Sequence, residues 1–244
     1  MNVKITKCTY ENPDSDGDIS IESEVLIENN SEFDIEYLKG SVIVVNEDGV
    51  TVAGSEIDDD NLFIGSKDSG AIDGWSLSTR VHKNHFDKGN ASEAKVYIAL
   101  TSYRREFVKL GSLDVPAKPG QMSVIKKVIS LGGAAECMGM SCLRKKNDDD
   151  GEMDLEFSAG IRNTSEQYIA KAQVTVKAMD QRDAQVEDSV DWSELPAKTG
   201  KVYSPSFYGL KYGKLKNGEF KASASVFLPI DTYAVEATPK YSDD

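Results

Sequence analysis

Residues 19–28 show the pattern that recurs along the chain. Ile19, Ile21, Ser23, Val25 and Ile27 fall on one side of an extended backbone, and Ser20, Glu22, Glu24, Leu26 and Glu28 fall on the other. A period of two with one charged side predicts a half-buried strand. The same alternation predicts strands over 3–10, 75–81, 95–101 and 106–115, and a hairpin of 42–45 with 50–53 around Asp48-Gly49. In the second half it predicts strands over 153–161, 172–178, 201–208, 219–228 and 233–238. Turn signals such as NPDSDGD and FDKGNAS separate these runs, and no segment carries helical periodicity for more than two turns. Val124–Leu131 reads equally as the first strand of the second half or as a brace on the first.

The pattern is duplicated. An offset of 134 residues places Cys8 on Cys142, Asp14 on Asp148, Asp16 on Asp150, Gly17 on Gly151, Glu22 on Glu156 and Ile27 on Ile161. In the same register Asn29 falls on Asn163, Ser31 on Ser165, Glu32 on Glu166, Ile35 on Ile169 and Val42 on Val176. These are eleven identities in the 38 positions from Cys8 to Val45, where unrelated chains give about two on background composition. Leu195-Pro-Ala-Lys-Thr-Gly takes the place of Leu62-Phe-Ile-Gly-Ser. Later strands match at an offset of 126, with Val96, Ile98 and Leu100 on Ala222, Ala224 and Val226. The expected organisation is an acidic β-sandwich over 1–118, a linker or bracing strand over 119–133, and a second sandwich over 134–244.

About seven short strands per unit, with nothing to cross over between parallel neighbours, predict an all-β fold of two tandem immunoglobulin-like antiparallel β-sandwich domains. Ile27-Glu-Asn29-Asn-Ser31, Val42-Ile-Val44, Asp48-Gly49, Leu62 and Gly65 form a pattern matched in the second unit by Ile161, Asn163, Ser165, Val174, Val176, Leu195 and Gly200. This pattern resembles the FxLYD-like group of bacterial immunoglobulin-fold domains. The Phe-x-Leu-Tyr-Asp string itself is missing, and the second unit lacks the Asp-Gly pair. The resemblance implies the fold and a non-catalytic accessory or binding role.

Charge changes the picture more than composition does. The net charge is −13, and residues 1–118 hold 22 of the 41 acids against 12 of the 28 basic residues. Phosphate contact with nucleic acid needs the opposite sign and is excluded as an expectation. Glu22, Glu24 and Glu28, with Glu36, Asp58, Asp59 and Asp60, are therefore candidates for binding a basic protein; the plain alternative is a solvated face. Tyr208 and Tyr212 are uncharged candidates for partner contact. The acidic turns Asp14, Asp16, Asp18 and Asp148, Asp150 offer oxygens to calcium, though the EF-hand spacing is absent and a hairpin turn is the preferred reading.

Three cysteines, Cys8, Cys137 and Cys142, without CxxC spacing read as free buried thiols in a reducing, cytoplasmic setting. His82 and His85 are the only histidines, and no nucleophile, phosphate loop or metal motif surrounds them. No apolar run is long enough to cross a bilayer. The expected function is a non-enzymatic protein-binding or assembly module without a cofactor. The alternatives are an acidic inhibitor or immunity-type protein acting through the first unit, and a structural component of a phage or secretion particle.

Overall fold

Strand propensity and alternation dominate the backbone. The computed structural model describes residues 1–60, 62–66, 71–145 and 151–242, and they form an all-β fold. The chain divides into two compact units, Met1–Arg104 with Pro229–Asp244, and Arg105–Leu228. The first five strands are β1 (Asn2–Tyr10), β2 (Asp18–Glu28), β3 (Tyr37–Val45), β4 (Thr51–Asp59) and β5 (Ala71–His82). Then follow β6 (Lys95–Asp114), β7 (Met122–Ile125), β8 (Ile129–Leu131), β9 (Ala135–Arg144), β10 (Glu152–Asn163), β11 (Ile169–Met179) and β12 (Gln185–Leu195). The last are β13 (Gly200–Tyr203), β14 (Ser206–Lys211), the single helical turn α1 (Tyr212–Leu215), β15 (Glu219–Ala237) and β16 (Lys240–Tyr241). β6 and β15 each lend one segment to each unit.

Unit one is sandwich-like. One sheet runs β16-β1-β2-β5, antiparallel except for the parallel β1–β16 pair. The other runs β4-β3-β6, with β15 beside β6, where the Thr101 and Thr232 hydroxyls lie 3.0 Å apart. Ile19, Ile21, Ser23, Val25 and Ile27 of β2 are all 0–1% exposed, as the alternation requires, and the four apolar ones join Leu38, Val42, Val44, Ile98 and Leu100 in one core.

Unit two uses the same plan. β9 and β10 centre one sheet, flanked by β7 and β8 on the β9 side and by β13 and β14 on the β10 side. β12, β11 and β15 form the other, with β6 beside β15, where Arg105 Nε donates to Ser225 Oγ at 2.8 Å. The core here is aromatic: Phe157, Phe207 and Phe220 pack with ring centroids 4.9–5.9 Å apart. Ser23 stands where Phe157 does in the repeat, so the shared frame carries two different fillings.

The duplication is geometric. Cys8 pairs with Ser23 and Tyr10 with Ile21 in β1–β2, while Cys142 pairs with Phe157 and Arg144 with Leu155 in β9–β10. Val42 faces Ser55, and Val176 faces Ser189. All these pairs keep the offset of 134. Later strands are matched at 124, not at 126, because Val42 pairs with Ile98 whereas Val176 pairs with Ala222. A two-residue slip leaves every side chain on the same face, so alternation does not detect it.

One buried side chain per unit closes each sandwich. Asn29, 3% exposed, donates through Nδ2 to the carbonyls of Phe33 (2.8 Å), Ile64 (3.0 Å) and Gly65 (3.0 Å). Its Oδ1 accepts from the Ser31 amide and hydroxyl. Asn163, fully buried, donates to Gln167 (2.8 Å), Leu195 (3.1 Å) and Pro196 (3.2 Å), and its Oδ1 accepts from the Ser165 amide and hydroxyl. Leu195-Pro196 thus corresponds to Ile64-Gly65, two residues later than the alignment on Leu62.

The turns repeat as well. Asn46 Oδ1 accepts from the amides of Asp48 and Val50, and Asp180 Oδ1 accepts from those of Arg182 and Ala184. Gly49 (φ 78°) and Asp183 (φ 64°) occupy the same left-handed position. The second unit therefore keeps the turn without the glycine, at the cost of a strained Asp.

One further sequence expectation changes, one strand is added and one open reading is settled. The runs 95–101 and 106–115 belong to one strand, β6, and 219–228 and 233–238 belong to β15; Arg104-Arg105 and Pro229 break the hydrophobic pattern but not the ladder. β12 escapes alternation because Leu195 is its only fully buried residue. Val124–Leu131 lies in unit two, as β7 and β8 on β9.

Replacing Asn163 or Asn29 by Ala strands three carbonyls and is expected to cost on the order of 3 kcal/mol, read as a lowered urea midpoint; Ser165→Ala should cost about 1 kcal/mol. The amide of Ala184 holds the Asp180 carboxyl below its usual range. A carboxylate depressed in the fold stabilises above its unfolded pKa, about 3.9, and that stability is lost as pH falls through the folded value. Asp180→Asn, which copies Asn46, should keep the turn at neutral pH and flatten the acid limb of the melting-temperature profile.

Candidate functional site

The sequence candidates fall in several places. Asp14 Oδ1 accepts from the amides of Asp16 and Asp18, both at 2.9 Å, in the same turn geometry as Asn46 and Asp180. The Asp18 amide also holds the Asp14 carboxyl below its usual range. Among the described residues no group of three or more His, Cys, Asp or Glu is placed to hold a metal ion. Asp148 and Asp150 lie outside the described residues.

The acidic candidates are divided between two sheets. Glu22, Glu24 and Glu28 lie on the outer side of β2, whereas Asp58 and Asp59 lie on β4, with Asp60 just beyond, and Glu36 just before β3. Glu24 sits 3.6 Å from Lys7 Nζ, and Glu28 accepts from Asn2 Nδ2 at 2.9 Å. Glu22 is exposed.

His82 Nδ1 caps a short 3-10 turn by accepting from the Asn84 amide, and His85 is exposed. Cys8, Cys137 and Cys142 are all buried free thiols. Burial pushes all three up, Cys142 to about 12, although a Ser23 hydroxyl donated to Cys8 Sγ at 3.4 Å partly offsets the effect there.

Phe207 and Tyr208 point to opposite faces of β14: Phe207 is buried and Tyr208 is 73% exposed. Tyr212 is half-buried under the Arg144 guanidinium, 4.6 Å from its ring centre. Arg144 itself is buried and donates to the carbonyls of Pro116 and Ala117. Tyr212 thus belongs to the packing of unit two, while Tyr208 stands on the outer face of the β9–β10 sheet.

That face carries a feature that the sequence reading missed. Val124 on β7, Val128 just before β8, Met138 on β9 and Val202 on β13 are each 44–60% exposed. Together with Gly139 and Gly160 they line a shallow groove of about 520 Å³ across the sheet. Lys126 and Lys127 stand at its β7–β8 end, and a second depression past Met138 adds Arg162 and Lys201 at the β10–β13 end. A signal was present in the repeat: the outward series Glu22, Glu24, Leu26, Glu28 becomes Glu156, Ser158, Gly160, Arg162 at the offset of 134. Acids and a large apolar residue are exchanged for small residues and a cation.

No protein-family model matches the chain, and a search of curated proteins gives no match. Among solved structures, one titled pT26-6p has 6% identity and a TM-score of 0.30 over 97% of this chain. The chain spans 61% of that protein's length. A protein from Archaeoglobus fulgidus has 14% identity and a TM-score of 0.25 over 42% of this chain and 80% of its own. An N-terminal endo-1,4-β-D-xylanase 10B of Clostridium thermocellum, complexed with xylohexaose, has 11% identity and a TM-score of 0.24 over 52% of this chain and 25% of its own. Likenesses at this level carry nothing about function. Among the described residues no helix is long and apolar enough to cross a membrane.

The three thiols should resist a disulfide exchange reagent at pH 8 in the native protein and react once it is unfolded. Because the folded state holds the Cys142 proton, stability from this group is full below the unfolded thiol pKa of about 8.5 and is lost as pH rises toward the folded value of about 12. Cys142→Ala should flatten that alkaline limb.

Proposed function

We propose that the chain is a non-enzymatic protein-binding or assembly module built from two immunoglobulin-like sandwiches, in which unit two makes the contact. The matched registers and the paired Asn29 and Asn163 bonding sets support the tandem reading. The observation that carries the binding reading is the outer face of the β9–β10 sheet. Four large apolar side chains and a groove lie in the open there, where soluble surfaces normally scatter such residues singly. Tyr208, exposed on the same face, adds an amphipathic contact residue.

The geometry gives little to an acidic inhibitor reading, since Glu24 and Glu28 already have partners in unit one. The buried, raised thiols and the turn-capping His82 lend no support to a hydrolytic reading.

Filling the groove tests the proposal. Gly160→Leu should leave the melting temperature within about 2 °C, since a surface substitution with room around it changes stability little. In affinity capture from the native cell lysate it should lose whatever the wild-type chain retains. Identical captures by the two baits would contradict the reading, as would turnover of an esterase or phosphatase substrate abolished by His82→Ala.

A further inference from the structure

We infer that the groove of unit two takes an extended acidic peptide segment of another protein, with one apolar side chain seated over Gly160 between two flanking carboxylates. The inference rests on the protein-binding reading and adds the chemistry of the partner.

The first support is the open space over Gly160, which lies opposite the β-bulge at Met138-Gly139 of β9. The Gly160 backbone is not in the left-handed region, and a Cβ built there meets only the Met138 Cβ, at an ordinary 3.7 Å. Glycine inside a strand is destabilising relative to alanine, and besides bulges it marks sites where another backbone or a ligand approaches closely. The matched position in unit one is Leu26. Unit two thus keeps a destabilising residue whose structural effect is to leave the groove open.

The second support is charge. Lys126, Lys127, Arg162 and Lys201 are all exposed, and none is ion-paired with a carboxylate of the described residues. Ion pairs hold Lys7, Lys88, Lys145, Lys198 and Lys221, while Lys4, Lys95, Lys109 and Lys177 stand without one among the described residues as well; what marks the four is that they border one apolar groove. Glu136 faces Arg162 across the β9–β10 ladder without forming an ion pair with it. A cationic rim on an anionic protein attracts an acidic segment and repels a basic one.

The third support is length. From β7 to β13 the groove crosses three strand spacings, about 14 Å. Gly160 on β10 lies one spacing, about 5 Å, from β13 and two, about 10 Å, from β7; two extended residues reach about 7 Å each way, and the length of a glutamate side chain covers the remainder toward β7. The expected pattern is acid-x-apolar-x-acid.

The test uses the full chain and three fluorescein-labelled peptides read by anisotropy: Gly-Glu-Ser-Leu-Ser-Glu-Gly, the same peptide with Lys for both Glu, and the same with Ser for Leu. Saturable binding of the first is expected. Either exchange in the peptide should weaken binding by about tenfold or more, as should the protein variants Lys126→Glu with Lys127→Glu, and Gly160→Leu, at unchanged melting temperature. Raising the salt from about 0.05 to 0.5 M should also weaken it. Absence of saturable binding, preference for the lysine peptide, or indifference to both variants would overturn the inference. A lysate partner lost by Gly160→Leu but insensitive to the charge reversal would overturn the acidic occupant and leave the protein-binding reading standing. Concentration-dependent self-association abolished by Gly160→Leu would make the occupant a second copy, which also overturns it.

Discussion

Each sandwich depends on one buried asparagine. A strand that ends inside a domain leaves carbonyls and amides that water no longer reaches, and every one left unpaired costs the full desolvation of the group. Asn29 and Asn163 each answer this with five hydrogen bonds, gathering the end of β2 or β10, the following turn and a distant loop into one point. The requirement is chemical: only an amide side chain both donates to carbonyls and accepts from an amide and a hydroxyl at that spot. Aspartate lacks the donors, and leucine lacks both. The identical bonding in the two units, at the 134-residue offset, is the structural content of the internal repeat.

A frame fixed at that point tolerates change elsewhere. Unit one fills the middle of its core mainly with aliphatic side chains, with Tyr10 and Phe86 among its members, whereas unit two packs Phe157, Phe207 and Phe220 against one another. The outer faces have diverged further. On β2 the outward series is mostly acidic, and its members hold Lys7 and Asn2; on β10 Glu156 is kept, while the other three positions have become small or cationic. The pair of outer faces reads as one scaffold with two surfaces, and the proposed binding role belongs to the surface that stability explains least.

Much of the fold was legible because burial on one face of a strand imprints a period of two. The β2 alternation and the Cys8–Val45 repeat needed no further information. Slips of two residues were not legible, since Ile98 against Ala222 or Ala224 leaves the same face inward. Nor was β12, an edge strand wetted on most positions, nor the continuity of β6 through Arg104-Arg105, where ladder bonds persist without an apolar pattern. The groove was the hardest to read. Val124, Met138 and Val202 lie far apart in sequence and meet only through the β7–β9–β10–β13 pairing, and Gly160 acquires meaning only when the space above it is measured. Alternation put Phe207 and Tyr208 on opposite faces, and the structure shows Tyr208 to be the outward one.

The binding surface proposed for this chain is unit two's outer sheet face and not the acidic strand of unit one. Methyl-labelled full-length protein titrated with the acidic-apolar peptide and followed by NMR tests this directly. The account predicts shifts concentrated on the methyls of Val124, Val128, Met138 and Val202, with those of Val25, Leu26 and Ile27 unmoved. Shifts centred on β2, or none at saturating peptide, would contradict it.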